Sequence, residues 1–395
     1  MLIGLVGKPS VGKSTFFKAA TLADVEIASY PFTTIKANHG VGYVKVDCID
    51  KEFNVQCNPS HGFCIKSNRF VPVELMDVAG LVPGASEGKG LGNQFLDELR
   101  QADAFIHIID MSGTINEKGE QTENYDPLKD VLFLEDELNK WFYGILNKVW
   151  KSFSKRINSK DSKTFAESVS KQFSGLKVNE EDVKDVLKEL NFQKKASFWS
   201  EKELIEFAFK LRKKTKPLII AANKIDLAKG KENYERLKDK FPDEIIIPCS
   251  AEAELALRQA AKNNLIEYIP GERNFKILKE LSEEQKKVLT KIKNEILDKF
   301  EFGTGVQEIL NKAVFELLNY IAIFPASANK LADSKGNILP DCFLLPKGST
   351  ALDFAYYLHS DFGDNFIKAI DARTKKALGK NYELKNRDAL EIIFR

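Results

Sequence analysis

Nowhere in the 395 residues is there a run of about 18 apolar residues, so no membrane-spanning helix is expected. Cysteine is sparse and odd in number, five in all, which argues against a disulfide framework and suits a reducing, cytoplasmic setting. Charge of neither sign dominates: the net value is +2, and it selects no partner. A secretory leader is not expected, because Lys8 and Pro9 cut short the first apolar run, Leu2 to Val6. What the chain has in quantity is apolar residue. At 43% hydrophobic it can build real cores, and its length implies two or three domains.

The most informative segment is Gly7-Lys8-Pro9-Ser10-Val11-Gly12-Lys13-Ser14, the pattern G-x-x-x-x-G-K-S of a phosphate-binding P-loop. Its context fits, since an apolar strand precedes it and Thr15 to Ala20 can continue as a helix. The two glycines allow backbone N–H groups to turn inward around phosphates, and the helix N-terminus adds positive partial charge. Lys13 would reach the β- and γ-phosphates, and Ser14 would ligate Mg²⁺. An ordinary Gly-rich turn is the weaker alternative.

Three further motifs follow at expected strand ends. Asp77-Val78-Ala79-Gly80 places a carboxylate for the Mg²⁺ shell and a glycine N–H for the γ-phosphate. Asn223-Lys224-Ile225-Asp226 places an Asp that can accept two hydrogen bonds from guanine, a pair that adenine does not offer. Ser250-Ala251 would offer the Ala251 N–H to the guanine O6. Each motif is weak alone. Four in order at the ends of parallel strands point to a guanine-nucleotide site in an open α/β sheet.

Tyr30-Pro31-Phe32-Thr33-Thr34 and the stretch Gly80-Leu81-Val82-Pro83-Gly84-Ala85 through Gly92-Asn93 resemble the Obg-related GTPases, and more narrowly the YchF / Obg-like ATPase branch. The resemblance spans nearly the whole chain. It implies that Thr34 closes on Mg²⁺ and the γ-phosphate, and that Lys13, Thr34 and Gly80 serve catalysis. Most members of that branch lack the Asn-Lys-x-Asp signature and favour ATP; this chain keeps it and is similar to the archaeal-type, GTP-selective arm. Leu81 stands where Ras-like enzymes carry the glutamine that orients water, so slow intrinsic hydrolysis is expected. Ser10 is shorter than the Asn with which some relatives hold potassium.

Two other clusters stand out. Cys48, Cys57, His61 and Cys64 read C-x8-C-x3-H-x2-C, either a zinc set or ordinary loop cysteines. Residues 1–130 are net −5, with twelve Lys/Arg against seventeen Asp/Glu, whereas 148–171 carry seven against two and are net +5. Such a patch suits a phosphate-rich partner or is simply a solvated helical face. His107, within a strand at 104–110, reads as a core residue.

Between the strands ending at Asp110 and starting at Pro217 lie about a hundred residues of helical pattern, with Val131, Leu134, Leu138, Trp141, Ile145 and Val149 spaced by three or four. An antiparallel helical hairpin would return its ends to the sheet. Residues 253–300 read as further helices. The run Leu345-Pro346-Lys347-Gly348-Ser349-Thr350-Ala351-Leu352-Asp353-Phe354-Ala355 strongly resembles the TGS domain, which implies an RNA- or ribosome-facing module.

The expected architecture is α/β. A P-loop GTPase domain over 1–320 carries an inserted, coiled-coil-like helical arm at 112–215 and additional helices at 253–300. A ubiquitin-like α+β TGS domain follows over 321–395. The expected function is Mg²⁺-dependent GTP binding and hydrolysis to GDP, as a ribosome-associated switch and a monomer. An ATPase of the same fold and a nucleic-acid-binding scaffold are the alternatives.

Overall fold

The computed structural model describes residues 1–22, 38–78, 80, 84, 99–157, 162–192, 195–327, 330–333 and 335–395. Thr34, Ala79, Leu81 and most of the 80–92 stretch lie outside the described residues.

One sheet organises the N-terminal three-quarters of the chain. Its strands are β1 (Leu2–Val6), β2 (His39–Asp47), β3 (Phe63–Ile65), β4 (Asn68–Asp77), β5 (Ala104–Asp110), β6 (Leu218–Asn223) and β7 (Ile246–Pro248). The order is β2-β4-β1-β5-β6-β7, with β3 beside β4. From β4 to β7 all neighbours are parallel, and β2 and β3 run antiparallel to β4. The parallel strands match the apolar runs of the sequence. Their C-terminal ends lie on one edge, so Gly7, Asp77, Asn223 and Ser250 emerge together.

Alternation along each strand sorts side chains between two cores. Ile3, Leu5, Ile106, Ile108, Ile219 and Ala221 share one core with Val306, Ile309, Leu310 and Ala313 of the helix that begins after Gly305. Leu2, Val6 and Phe105 share the other with the helices inserted between β5 and β6.

The insertion is more than a two-helix hairpin. After α1 (Lys13–Thr21) come α2 (Leu128–Arg156), α3 (Ser162–Gln172), α4 (Glu180–Leu190) and α5 (Glu201–Thr215). Capping boxes at Asn179 and Ser200 start α4 and α5. Helix α5 packs along α2, and α4 lies against both α3 and α5. Trp150 stacks on Trp199 at 5.3 Å, and Trp199 meets Phe207 at 5.1 Å. So much aromatic surface cannot be hidden between two helices. It closes into a bundle whose core runs on into the sheet face.

Two helices flank β7, α6 (Gly230–Lys240) and α7 (Ala251–Lys262). The region expected to be helical throughout then contains a small hairpin, β8 (Ile266–Tyr268) with β9 (Phe275–Ile277). Ile266 and Tyr268 alternate inward against Leu257 and Leu281, a period-2 burial that outweighs the charged, helix-like surroundings.

The C-terminal unit has strands β10 (Tyr320–Pro325), β11 (Phe343–Pro346), β12 (Phe366–Asp371), β13 (Ala377–Leu378) and β14 (Ala389–Phe394), ordered β11-β10-β14-β12-β13. Among the described residues, β10 and β14 are the parallel neighbours and the other pairs are antiparallel. The helix Ala351–Leu358, capped by Thr350 with Asp353, packs Phe354 on Ile321, Ile323 and Leu345. Ala322 and Phe324 point the other way, into the core of the main sheet. No described helix is long and apolar enough to cross a membrane.

His107 sits in β5 and is 2% exposed. Burial first, and then the charges of Lys8 and Lys13, push its pKa down to about 3. An unfolded His takes its proton near pH 6.5. Between those values the unfolded chain binds the extra proton, so stability must fall as the pH drops from about 6.5 toward about 3. Replacing His107 with Gln should remove up to about 1.4 kcal/mol per pH unit of that slope. Urea unfolding at a series of pH values in this window checks it; parallel slopes for the two proteins would refute it.

Candidate nucleotide-binding site

The loop from Gly7 to Ser14 is a tight backbone cradle. Gly7 (φ +151°) lies against β5, where a Cβ would come 2.5 Å from the Ile108 carbonyl oxygen. Gly12 (φ +97°) lies against Asn223, where a Cβ would come 2.5 Å from Nδ2. Ser10 also takes a positive φ, 65°, and its hydroxyl donates to the Gly119 carbonyl at 3.2 Å. Pro9 is wedged between Gly80 and Gly119, where added Cβ atoms would come within 3.0 and 2.7 Å of it.

Lys13 opens α1, followed by Ser14 and Thr15 in the first turn. Its ammonium donates to the Lys8 carbonyl at 3.3 Å and has no salt-bridge partner among the described residues. Burial holds its pKa below the ordinary lysine value, with Asp77 pulling partly back. A half-buried cation without a paired acid is an anion site in waiting. The Ser14 hydroxyl donates to Asp77 Oδ2 at 2.9 Å. These are two hard oxygen donors side by side at the end of β4, a set that fits a small hard cation such as Mg²⁺.

The Asn-Lys-x-Asp loop is bound to the same cradle. Asn223 Nδ2 donates to the Val11 carbonyl at 2.9 Å, and its Oδ1 accepts the Ala251 N–H at 3.0 Å. Lys224 donates to the Ser10 carbonyl at 3.1 Å and pairs with Asp110 at 2.8 Å. The carboxylate of Asp226 is half-buried and has no hydrogen bond or ion pair among the described residues. Ser250 is 1% exposed and caps α7, its oxygen accepting the Ala253 N–H at 3.4 Å.

One expectation changes here, and one side chain takes a place that the motif does not indicate. The Ala251 N–H, expected to face a guanine O6, is engaged by Asn223, so contact with a base requires that bond to be shared or exchanged. Lys8 does not point its side chain into the cradle. Its ammonium turns away to pair with Asp130 at 2.8 Å, donates to the Ile115 carbonyl at 2.8 Å and lies 3.7 Å over the Tyr125 ring. Only its backbone belongs to the cradle; burial by itself disfavours the ammonium, and Asp130, the Ile115 carbonyl and the Tyr125 ring face offset that cost in part. Sequence reasoning also missed Asp110 and Asp130. Asp110 is legible as an acid at a strand end; Asp130 has no local signal. Gly84, four residues after Gly80, donates its N–H to Glu137 of α2 at 2.9 Å.

Three family models match the chain. A 50S ribosome-binding GTPase model covers residues 2–148, a G4 motif-containing domain of YGR210-like Obg-like GTPases covers 221–327, and a TGS domain covers 334–394. An uncharacterized GTP-binding protein of Methanocaldococcus jannaschii is 48% identical over 99% of this chain and 98% of its own length. The chain belongs to the YchF/Obg-like GTPase family. Another relative of this YchF-like chain, an uncharacterized GTP-binding protein of Schizosaccharomyces pombe, is 35% identical over 89% of this chain and 88% of its own. The crystal structure of a GTP binding protein from Pyrococcus horikoshii superposes with a TM-score of 0.79 at 39% identity, covering both chains fully.

The buried Lys8–Asp130 pair ties the P-loop to α2. Removing one partner leaves the other charge buried and unpaired, so Lys8→Met should cost about 3–5 kcal/mol. The double variant Lys8→Met/Asp130→Leu should recover most of that loss. Denaturant midpoints check this, and equal losses in the single and double variants would contradict it.

Proposed function

We propose that this chain binds and hydrolyses GTP at the strand-end edge of the main sheet and that its nucleotide state governs docking on a ribosome or structured RNA. The observation that carries the first part is the convergence of the P-loop, Asp77 and the Asn-Lys-x-Asp loop, with a lysine that has no paired acid and an aspartate that has no partner among the described residues. Lys13 would take the β- and γ-phosphates and Asp226 the guanine edge, so each half-buried charge gains a partner. Gly7, Ser10, Val11, Gly12, Thr15 and the backbone of Lys8 and Pro9 would wrap the phosphates. Asn223, Lys224, Ser250 and Ala251 would shape the base pocket.

Ser14 and Thr34 would hold Mg²⁺, with Asp77 supporting its water shell; the ion would supply neutralising charge at the phosphates. Water would attack the γ-phosphorus in line, breaking its bond to the bridging oxygen of GDP. The Gly80 N–H and Lys13 would stabilise charge on the transferred group. In this reading the working units are 1–320, with the helices of 112–215 and the elements of 253–300, and a TGS unit at 321–395.

The docking part has two supports. Relatives 29% identical, among them that of Bacillus subtilis over 93% of this chain, are named ribosome-binding ATPase YchF. On α2, Lys148, Lys151 and Lys155 are exposed and unpaired among the described residues, whereas Lys171 is paired with Glu167. A cytoplasmic monomer fits this reading.

GTP should be preferred over ATP by about 30- to 1,000-fold, because a site built for two guanine donors leaves a carboxylate unpaired against adenine. Asp226→Asn should erase most of this preference, and Lys13→Ala should abolish steady phosphate release. Competition binding and a multiple-turnover assay measure both. Equal affinity for the two nucleotides would favour an ATPase, and no turnover at all would favour a scaffold.

Charge reversal at Lys151, Lys155 and Arg156 should weaken co-sedimentation with ribosomes, most at low salt and less as salt rises, and leave GTP affinity unchanged. Wild-type sedimentation by this variant would reduce the patch to a solvated face.

A further inference from the structure

Far from the nucleotide edge, the chain between β2 and β4 gathers three thiols and a carboxylate. Cys48 follows β2, Asp50 lies in the short turn Ile49–Phe53, Cys57 comes in the next loop and Cys64 is in β3. Their ligand atoms all lie within 4.8 Å of one another. Cys48, Cys57 and Asp50 are at most 5% exposed. His61, the fourth member suggested by spacing, turns away and bonds Asp341 at 2.8 Å, and Asp50 takes its place.

Three features point to a single ion. The Cys48 and Cys57 sulfurs are 3.7 Å apart, close to the edge of a tetrahedron with Zn–S bonds of about 2.3 Å, which is about 3.8 Å. A disulfide needs about 2.05 Å, and all three cysteines are free. Asp50 is 1% exposed, has no salt-bridge partner among the described residues, and brings Oδ2 to 4.0 Å from the Cys64 sulfur. Ordinary buried cysteines would account for the thiols, but not for a buried carboxylate aimed at them. The cluster is too compact for an iron–sulfur core and the right size for one ion. Thiolate-rich, tetrahedral sites select zinc. Arg69, opposite Cys64 in the β3–β4 register and fully buried, adds positive charge beside a site whose ligands are anionic.

The same loop receives the C-terminal unit. The Asn58 and Ser60 N–H groups donate to the carbonyls of Ile338 and Pro340, both at 2.8 Å. Arg69 donates to the Leu339 and Pro340 carbonyls at 3.1 and 2.8 Å. We propose that Cys48, Asp50, Cys57 and Cys64 form a structural zinc site that braces the surface on which the C-terminal unit docks.

Full-length protein, purified reduced and without chelator, should carry about one zinc per chain. Cobalt(II) added to the metal-stripped protein should give thiolate-to-cobalt absorption that saturates at about one equivalent and is displaced by zinc. Cys64→Ser, at the half-buried position, should weaken cobalt binding by more than the roughly 10- to 100-fold typical of outer-shell changes, and Asp50→Asn should weaken it too. Cys249→Ser, remote from the cluster, should bind as wild type does. Stripping the metal should speed proteolysis between the two units in the wild type and leave Cys64→Ser unaffected. The wild-type titration needs no variant to fold. Absence of stoichiometric metal and of the cobalt band overturns the proposal, as does unchanged cobalt binding in Cys64→Ser or a Cys48–Cys57 disulfide in freshly isolated protein.

Discussion

Asn223 spans three loops with one carboxamide, and the geometry of the nucleotide edge hangs on it. Nδ2 holds the Val11 carbonyl and Oδ1 holds the Ala251 N–H. Gly12 is pressed so close that no side chain fits between them. Both bonded groups are buried backbone, and each would lose about 1–3 kcal/mol if left unpaired. An Asp here could not donate, and a Gln would push the P-loop off. The base-side and phosphate-side loops are therefore positioned as one object, with Lys224 reinforcing it through Ser10 and Asp110.

The cradle is also joined to the inserted helices. Lys8 leaves the phosphate side and enters a slot made by Ile115, Tyr125 and Asp130, at the start of α2. Gly84 meets Glu137 two turns further along the same helix. Helix α2 thus touches both the P-loop and the segment that follows Asp77-x-x-Gly80. Its apolar side is continuous with the sheet core and its far end is basic and exposed.

The C-terminal unit is held by a different kind of contact. Ala322 and Phe324 enter the main core, Arg373 bonds Glu52 at 2.6 Å, and Arg387 reaches the Asp47 carbonyl at 2.9 Å. Ala326, Leu339, Cys342, Ala372 and Ala389 join the same core, and backbone and charge-assisted hydrogen bonds to residues 47–69 border it. This interface therefore combines a shared apolar core with the conformation of a loop that has little secondary structure of its own.

The P-loop, the strand that carries it and the loops after β4, β6 and β7 were legible in the sequence because their signals are local. A glycine at each tight approach, an apolar strand and a polar strand end are read within a dozen residues. The TGS-like run and the amphipathic spacing of α2 are local in the same way. What tertiary structure decided lies between distant segments. Lys8 and Asp130 are 122 positions apart, and nothing near Lys8 says that its ammonium turns away from the phosphates. The count of inserted helices depended on where Trp150, Phe165, Trp199 and Phe207 could be buried together. His61 left the cysteine cluster because Asp341, far along the chain, offered it a partner, and Asp50 entered because a short turn aimed it inward. Spacing in sequence determined which residues could act at close range; burial and pairing across the fold determined which of them do.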